Sequence, residues 1–433
     1  CNFFWRILMI VRVFLILAFV LISLRIENLV YGDEISVSDK DWAWWRGPGR
    51  DGIADSNQSP PMEWSETENV LWKEPVPGRG HGSPIVVGDR IFLATADEER
   101  EVQSVLCYDR ETGEPLWKTD VHRGGFEAVG RQGNPRSTRA SSTLASDGHR
   151  VFINFFNSNA VYVTALDLDG KQLWQKKVTD YAMHQGYGSS PTVYDSLLIV
   201  SADNTGGGAV TAYDRVSGEV VWTVKRGELP NYASPIILNI DGRDELVFTG
   251  HDMISSFDPL TGEVNYEVKG ATTECVTSVI SNGEFIVTSG GYPDKHIAVV
   301  KADGSGEEVW RTGVEVYVPS MLMVDGHIYG VTDGGSVFCY ALDSATPVWE
   351  KRVRGKFSGS PVLVGENIFV TSMKGTTFIL KATPEGFELV GENVIAADQQ
   401  EATPVICDSR IYMRIPRKEG EKRQEMLYCI GKK

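Results

Sequence analysis

The sequence predicts an all-β protein, an eight-bladed β-propeller whose blades are four-stranded antiparallel sheets. The first observation is a phrase made of a strand, an Asp-led turn with glycine and a second strand that ends in tryptophan. Asp can bond its own backbone and glycine takes the left-handed corner, so each copy predicts a hairpin. The phrase occurs as CYDRETGEPLW (107–117), ALDLDGKQLW (165–174) and AYDRVSGEVVW (212–222), with weaker copies at 256–266, 300–310 and 340–349.

The second observation is a serine or threonine marker upstream in each unit. Alternating apolar runs such as IVVGDRIFLAT follow the markers, and VGDR, VGEN and VDGH are tight-turn signals within them. Each unit therefore holds four short strands, and repetition of such a unit around an axis gives a propeller. The eight markers are Ser83-Pro84, Ser142-Thr143, Ser190-Pro191, Ser234-Pro235, Ser278-Val279, Ser320-Met321, Ser360-Pro361 and Thr403-Pro404.

Ring closure is predicted from the two ends of the repeat region. The last unit ends at MLYCI (426–430) with too little chain left for a fourth strand, and NVLWKEPV (69–76) can supply it. Closure hides sheet edges that an open array would expose. The predicted organisation is a signal peptide or N-terminal anchor over 1–32, an N-terminal strap containing WWRGPGRDG over 33–68, and the propeller over 69–433.

The N-terminal segment predicts export. Arg6 and Arg12 precede VFLILAFVLISL (13–24), which is shorter than a membrane span and suits the apolar core of a signal peptide. VYG (30–32) has small residues where cleavage would occur, and an uncleaved anchor is the alternative. The predicted location is periplasmic or membrane-associated, with membrane association through this segment.

Composition excludes some partners. A formal net charge of −16 argues against nucleic acid, which would require a basic surface. The cysteines after Cys1 contain no CxxC motif and no adjacent pair. We therefore expect these cysteines to act as small buried hydrophobic residues. The histidines have no metal-ligand spacing, and no metal site is predicted.

The strap contains the segment DWAWWRGPGRDGIA (41–54). A phosphate site would need a strand before this segment and a helix after it, and the sequence predicts neither. We expect its three tryptophans to pack against the rim or base of the propeller, with a ligand site as the alternative. Arg46 and Arg50 are expected to pair with the acidic surface.

The repeated phrase resembles the tryptophan-docking repeat of quinoprotein alcohol dehydrogenases and of BamB-like scaffold proteins of the bacterial outer membrane. In that PQQ-like family the tryptophan of one blade packs against the next. The docking position holds Trp117, Trp174, Trp222, Trp310 and Trp349, with Tyr266 as a substitute, and blade seven (FELVGENV) lacks the residue. The WxxWRGPxRDG lead-in also resembles PQQ-like propellers common in planctomycete-type bacteria.

The candidate ligand-binding residues lie in the loops that precede the first strand of each blade. In a propeller these loops surround the central channel and form a funnel, and polar and aromatic groups there suit a small or peptidic ligand. The alternative is a water-filled channel in which these groups satisfy the backbone. The candidates are His81, Arg136, Arg139, His184, Tyr187, Tyr232, Glu274, Tyr317, Phe357 and Glu401.

No catalytic residue is predicted. Quinoprotein activity, as the resemblance implies it, would require PQQ, calcium held by Glu, Asn and Asp, a catalytic Asp and a disulfide between neighbouring cysteines, and this chain has no neighbouring cysteines. The predicted function is a monomeric, cofactor-free scaffold that binds a protein or peptide partner in the cell envelope. The alternatives are a PQQ-dependent quinoprotein oxidoreductase and an extracellular carbohydrate or small-molecule sensor.

Overall fold

A computed structural model describes residues 34–126, 134, 137–420 and 422–433, without the side chain of residue 419. The predicted signal segment at 1–32 and the candidate Arg136 therefore lie outside the described residues. Within the described ranges, no helix is both long enough and apolar enough to cross a membrane.

The described residues form 32 strands in eight four-stranded antiparallel sheets, which confirms the predicted fold class. The strands are β1 Val70–Val76, β2 Ile85–Val87, β3 Arg90–Asp97, β4 Val102–Asp109, β5 Pro115–Arg123, β6 Ala145–Ser146, β7 Arg150–Asn157, β8 Ala160–Asp167, β9 Gln172–Asp180, β10 Thr192–Tyr194, β11 Leu197–Ser201, β12 Ala209–Asp214, β13 Val220–Lys225, β14 Ile236–Ile240, β15 Arg243–Gly250, β16 Met253–Phe257, β17 Val264–Lys269, β18 Ile280–Ser281, β19 Phe285–Gly290, β20 His296–Lys301, β21 Glu308–Thr312, β22 Leu322–Val324, β23 His327–Val331, β24 Ser336–Ala341, β25 Pro347–Arg352, β26 Val362–Val364, β27 Asn367–Thr371, β28 Thr376–Lys381, β29 Leu389–Val394, β30 Val405–Cys407, β31 Arg410–Glu419 and β32 Lys422–Ile430.

Blade 1 consists of β2 to β5, and each following blade takes the next four strands up to β26–β29 in blade 7. Blade 8 combines the two ends of the repeat region in the order β1-β32-β31-β30. β1 is antiparallel to β32, with Trp72 opposite Cys429. The backbone groups of β1 and β32 thus satisfy one another where an open array would leave an edge.

Tryptophan docking between blades follows the pattern that the family resemblance implied. Nε1 of Trp117 in blade 1 donates to the carbonyl oxygen of Leu168 in blade 2 at 2.9 Å, and Trp310 in blade 5 donates to Leu342 in blade 6 at 2.9 Å. The repeated spacing of the turn places a glycine against five of the docking rings, those of Trp72, Trp117, Trp174, Trp222 and Tyr266. Gly113, for example, has φ 79°, and a Cβ there would lie 2.5 Å from the Trp72 indole, so only glycine fits.

Blade 7 receives its docking tryptophan from the N-terminal strap. Gly391 occupies the docking position of β29, opposite Ile379. Trp64 stacks on Phe369 of the same blade, with ring centroids 6.3 Å apart. The backbone N–H of Trp64 also donates to Oδ1 of Asn393 at 2.8 Å. The strap therefore completes the repeat at the one position where the repeat sequence fails.

The five cysteines among the described residues are buried free thiols, as the sequence predicts. Cys107 lies opposite Trp117 in the sheet and belongs to the apolar core between blades 1 and 2. Burial raises the pKa of the Cys275 thiol to about 11, so at neutral pH it is a protonated, apolar group.

Candidate functional site: a funnel with a strap across one end

A ring of hydroxyl groups surrounds the channel, one from each blade. The backbone N–H of one member donates to the side-chain hydroxyl of the next at 2.9–3.0 Å in seven of the links among the described residues. The members of this hydroxyl ring are Ser83, Thr143, Ser190, Ser234, Ser278, Ser320, Ser360 and Thr403. The predicted marker in blade 2 is one residue out of register, since Thr143 and not Ser142 is the ring member.

The strap crosses one end of the channel, at the turns between the first and second strands of the blades. Trp42 forms an antiparallel bridge with Val86 of blade 1, and Ile53 forms a parallel bridge with Leu363 of blade 7. Trp42 is 3% exposed and belongs to an apolar core. Between these two anchors the chain runs beneath the ring, and Trp45 lines the channel.

Arg46 and Arg50 anchor the middle of the strap to backbone carbonyls. Arg46 donates to the carbonyl oxygen of Met321 in blade 6, and Arg50 donates to that of Val193 in blade 3 at 2.5 Å. The expected pairing with acidic surface groups is therefore wrong. Burial lowers the pKa of both guanidinium groups to about 10, and both remain charged at neutral pH.

The channel above Trp45 is a cavity of about 220 Å³. Nε1 of Trp45 donates to the hydroxyl of Ser278 in the ring at 2.8 Å, which fixes the indole at the strap end. His81, Tyr232 and Glu401 also line this cavity, so three predicted candidates meet here. The side chains of the channel wall are therefore those of the funnel loops.

A wider cavity of about 500 Å³ shares His81 and Glu401 with the channel. Tyr317 and Phe357 line it as well, so four predicted candidates lie around one opening. The backbone N–H of Tyr317 donates to Oδ2 of Asp333 at 2.8 Å. Burial raises the pKa of the Asp333 carboxyl, a group that sequence reasoning missed because it sits in an ordinary TDGG turn.

His184, Tyr232 and Glu274 form a cluster that joins blades 3, 4 and 5. Nδ1 of His184 lies 3.3 Å from the Tyr232 hydroxyl and 3.6 Å from Oε1 of Glu274. Glu274 is 4% exposed, and burial raises the pKa of its carboxyl. An imidazole, a phenol and a carboxyl at these distances can hold a proton or bind a polar group of a ligand.

A third cavity, of about 420 Å³, lies off the axis between blades 1, 2 and 3. It includes the candidates Arg139 and Tyr187. The Arg139 guanidinium lies over the Phe126 and Phe156 rings, 5.0 and 5.7 Å from their centroids. Its most buried polar residues are Ser142 and Asn154. Ser142 was predicted only as part of the blade 2 marker and Asn154 was not predicted, because an asparagine within a strand gives no signal of a ligand site in the sequence.

Two candidates lie within apolar clusters. Tyr187 is 7% exposed, packs against Tyr181 and donates its hydroxyl to the carbonyl oxygen of Ser201 at 3.0 Å. Phe357 is 1% exposed and packs against Phe378. Each therefore offers only part of its ring to a cavity. Among the residues that the structure describes, no group of three or more His, Cys, Asp or Glu could hold a metal ion.

Eight four-stranded blades with docked tryptophans and a funnel on the axis define a PQQ-like β-propeller. The chain belongs to the family described as "Outer membrane protein assembly factor BamB", whose model matches residues 101–290 and 293–402.

Curated relatives carry two kinds of name. The chain is 23% identical over 317 residues to outer membrane protein assembly factor BamB of Bordetella pertussis, covering 70% of this chain and 73% of the relative. It is 26% identical over 275 residues to BamB of Burkholderia pseudomallei, where it covers 63% of this chain and spans only 56% of the relative's length. A polyvinylalcohol dehydrogenase of Pseudomonas sp is 27% identical over 47% of this chain and 32% of its own.

Solved structures share the fold at low identity. A europium-containing methanol dehydrogenase superposes with a TM-score of 0.68 at 13% identity, covering 91% of this chain and 98% of that chain. BamB from Moraxella catarrhalis superposes with a TM-score of 0.59 at 14% identity, covering 83% and 99%.

Proposed function

We propose that this protein is a scaffold of the cell envelope that binds protein partners through the funnel face. One observation carries the proposal: the strap lies across one end of the channel, and Trp45 bonds to the hydroxyl ring there. The other face is left with cavities lined by His81, Tyr317 and Glu401. Loops that present polar and aromatic groups on a rigid ring suit partner recognition.

The envelope location and the partner class rest on two supports. The family and two relatives are named for outer membrane protein assembly. The sequence over 1–32 has the pattern of an export segment. The proposed partner is therefore an envelope protein involved in outer membrane assembly, bound by a monomer of this chain.

The test is co-purification from a cross-linked envelope fraction of cells that express the tagged chain. In a Tyr317→Ala/Glu401→Ala variant the recovered partner should fall at least about tenfold, because central interface residues account for most binding energy. The control is Glu263→Ala/Glu385→Ala in the turns between third and fourth strands. Arg110 of the equivalent turn in blade 1 donates to the backbone of Lys40, which places these turns at the strap end. Equal loss in both variants, or in neither, would contradict the proposal.

A quinoprotein oxidoreductase is the second candidate. The polyvinylalcohol dehydrogenase relative and the cluster of His184, Tyr232 and Glu274 favour it. Two observations disfavour it: the described part of the chain brings together no group of three or more His, Cys, Asp or Glu, and Cys275 has no neighbouring cysteine. Purified protein given PQQ and calcium should show neither quinone absorbance nor dye-linked alcohol oxidation; either signal would revive this candidate.

A further inference from the structure

We propose that the off-axis cavity between blades 1, 2 and 3 binds a tyrosine side chain of the protein partner. This inference rests on the proposed function and names the group that the funnel face recognises. The cavity has a volume of about 420 Å³, within the range of specific ligand sites. It combines buried polar atoms, aromatic walls and charged groups, and each part matches one part of a tyrosine in a peptide.

The polar groups of the cavity are Asn154 and Ser142, each 1% exposed. Within the described residues, Oδ1 of Asn154 and Oγ of Ser142 have no hydrogen-bond partner. The other amide atom of Asn154, Nδ2, donates to the carbonyl oxygen of Ser189 at 3.3 Å, which assigns the acceptor oxygen to the free position. Buried polar atoms without partners are destabilising, so these two favour a ligand that supplies hydrogen bonds.

The walls are aromatic. Phe156 packs against Tyr181 at 5.4 Å between centroids, and Tyr181 packs edge-on against Tyr187 at 5.5 Å, so these rings are held in place. The Arg139 guanidinium lies over the Phe126 and Phe156 rings. A flat wall of phenyl and guanidinium groups suits an aromatic ring, which binds offset or edge-on to such partners.

Charged groups of both signs border the same cavity. Nη1 of Arg79 lies 3.7 Å from Oε1 of Glu98, which is 51% exposed, and Glu101 lines the cavity beside them. A peptide backbone has both N–H donors and carbonyl acceptors, and a mixed set of carboxylates and guanidinium groups can bind both. A polypeptide on either side of the inserted ring is therefore accommodated.

A tyrosine fits this combination better than the other aromatic side chains or a sugar. Its hydroxyl both donates and accepts, whereas tryptophan only donates and phenylalanine does neither. A sugar carries hydroxyl groups around its whole ring and would leave several of them against Phe155, Phe156 and Tyr187, which are 1%, 8% and 7% exposed. Tyrosine is also among the residues that most often anchor protein interfaces.

The experiment titrates the purified full chain with acetyl-Gly-Tyr-Gly-amide, acetyl-Gly-Phe-Gly-amide and maltose, using calorimetry and ligand-observed NMR. The tyrosine peptide should bind about tenfold more tightly than the phenylalanine peptide, because one buried hydroxyl pairs with otherwise unsatisfied groups. Ser142→Ala and Asn154→Leu should each reduce this preference to about twofold or less. Ser358→Ala, a serine of the central channel, is the matched control and should keep it.

Equal binding of the two peptides, tighter binding of maltose, or no binding of any probe would overturn the tyrosine site. Loss of the preference in Ser358→Ala would place the site in the central channel and would overturn it too. These failures differ from a failure of the proposed function. The partner would then still be lost from the Tyr317→Ala/Glu401→Ala variant, whereas a failed scaffold proposal would leave that co-purification unchanged.

Discussion

The indole nitrogen of Trp45 donates to the hydroxyl of Ser278 at 2.8 Å across 233 positions of sequence. Ser278 is a member of the hydroxyl ring and donates its own backbone N–H to Ser320 at 3.0 Å. The strap is therefore bonded into the ring that holds the inner strands together. This contact links closure of the channel to the stability of the propeller.

Replacement of Trp45 by phenylalanine removes buried ring area and also the hydrogen bond to Ser278. The free energy of unfolding should therefore fall by about 1 kcal/mol more than the loss of buried ring area would lower it. The matched control is Trp44→Phe. Nε1 of Trp44 is buried and has no partner within the described residues, so this change removes ring area and no hydrogen bond. Urea unfolding followed by circular dichroism measures both, and equal losses would show that the Trp45 bond contributes nothing.

Trp64 should be as important to stability as a docking tryptophan of the repeat. It is 4% exposed, and Trp64→Ala should cost about 3–5 kcal/mol, as truncation of a buried aromatic does. Trp174→Ala provides the comparison within the repeat. Leu389→Ala is the control in the same blade, since Leu389 is exposed on the outer strand. A Trp64 variant as stable as the control would refute its role in completing blade 7.

Glu425 should be indispensable to blade 8. Its Oε2 lies 2.6 Å from Nε of Arg414, and both side chains are 1% exposed. Glu425→Gln leaves a buried guanidinium without its counter-charge and should destabilise the fold by about 3–5 kcal/mol. The exposed pair Lys176–Glu219 is the control, and Glu219→Gln should leave the urea midpoint unchanged. A small effect at Glu425 would mean that water reaches Arg414.

His296 should make the fold sensitive to acid. Burial lowers its pKa from 6.5 to about 4, and the unfolded chain therefore binds this proton more readily than the folded chain. Its contribution to stability is present above pH 6.5 and is lost as the pH falls towards 4, by at most about 1.4 kcal/mol per pH unit.

His296→Gln should make the free energy of unfolding less dependent on pH between pH 6.5 and 4.5. The slope should decrease by up to about 1.4 kcal/mol per pH unit. Glu274 and Asp333 oppose the trend, since their raised pKa values favour the folded state as protons bind. Their effect is common to both proteins and cancels in the comparison. Parallel pH profiles for wild type and variant would contradict the assignment of a low pKa to His296.

The number of blades and the docking positions follow from the sequence because each is repeated. A strand, a turn glycine and a tryptophan at fixed spacing constrain one another locally, as Gly113 beneath Trp72 shows. Trp64 could not be predicted in the same way. Trp64 takes the place of the docking tryptophan that is missing at Gly391, although it is far from Gly391 in the sequence. The sequence around Trp64 is not a copy of the repeated phrase.

The sequence places the candidate residues on equivalent loops, and it does not determine which way their side chains point. His81, Tyr317, Phe357 and Glu401 share one cavity because the propeller brings equivalent loops to one axis. Orientation depends on packing between blades, and so the burial of Tyr187 and Phe357 and the carbonyl partners of Arg46 and Arg50 were not accessible from the sequence. The polar atoms of Asn154 and Ser142 matter only through the cavity that neighbouring blades enclose.

Site-specific photo-cross-linking tests whether the funnel face is the surface that binds the protein partner. The cross-linking residue p-benzoyl-phenylalanine replaces Tyr317 on the funnel face or Leu260 in a turn at the strap end, where Leu260 is 48% exposed. In intact cell envelopes, we expect a discrete cross-linked protein partner from position 317 and none from position 260. Cross-linking from position 260 alone, or equally from both positions, would contradict recognition through the funnel face.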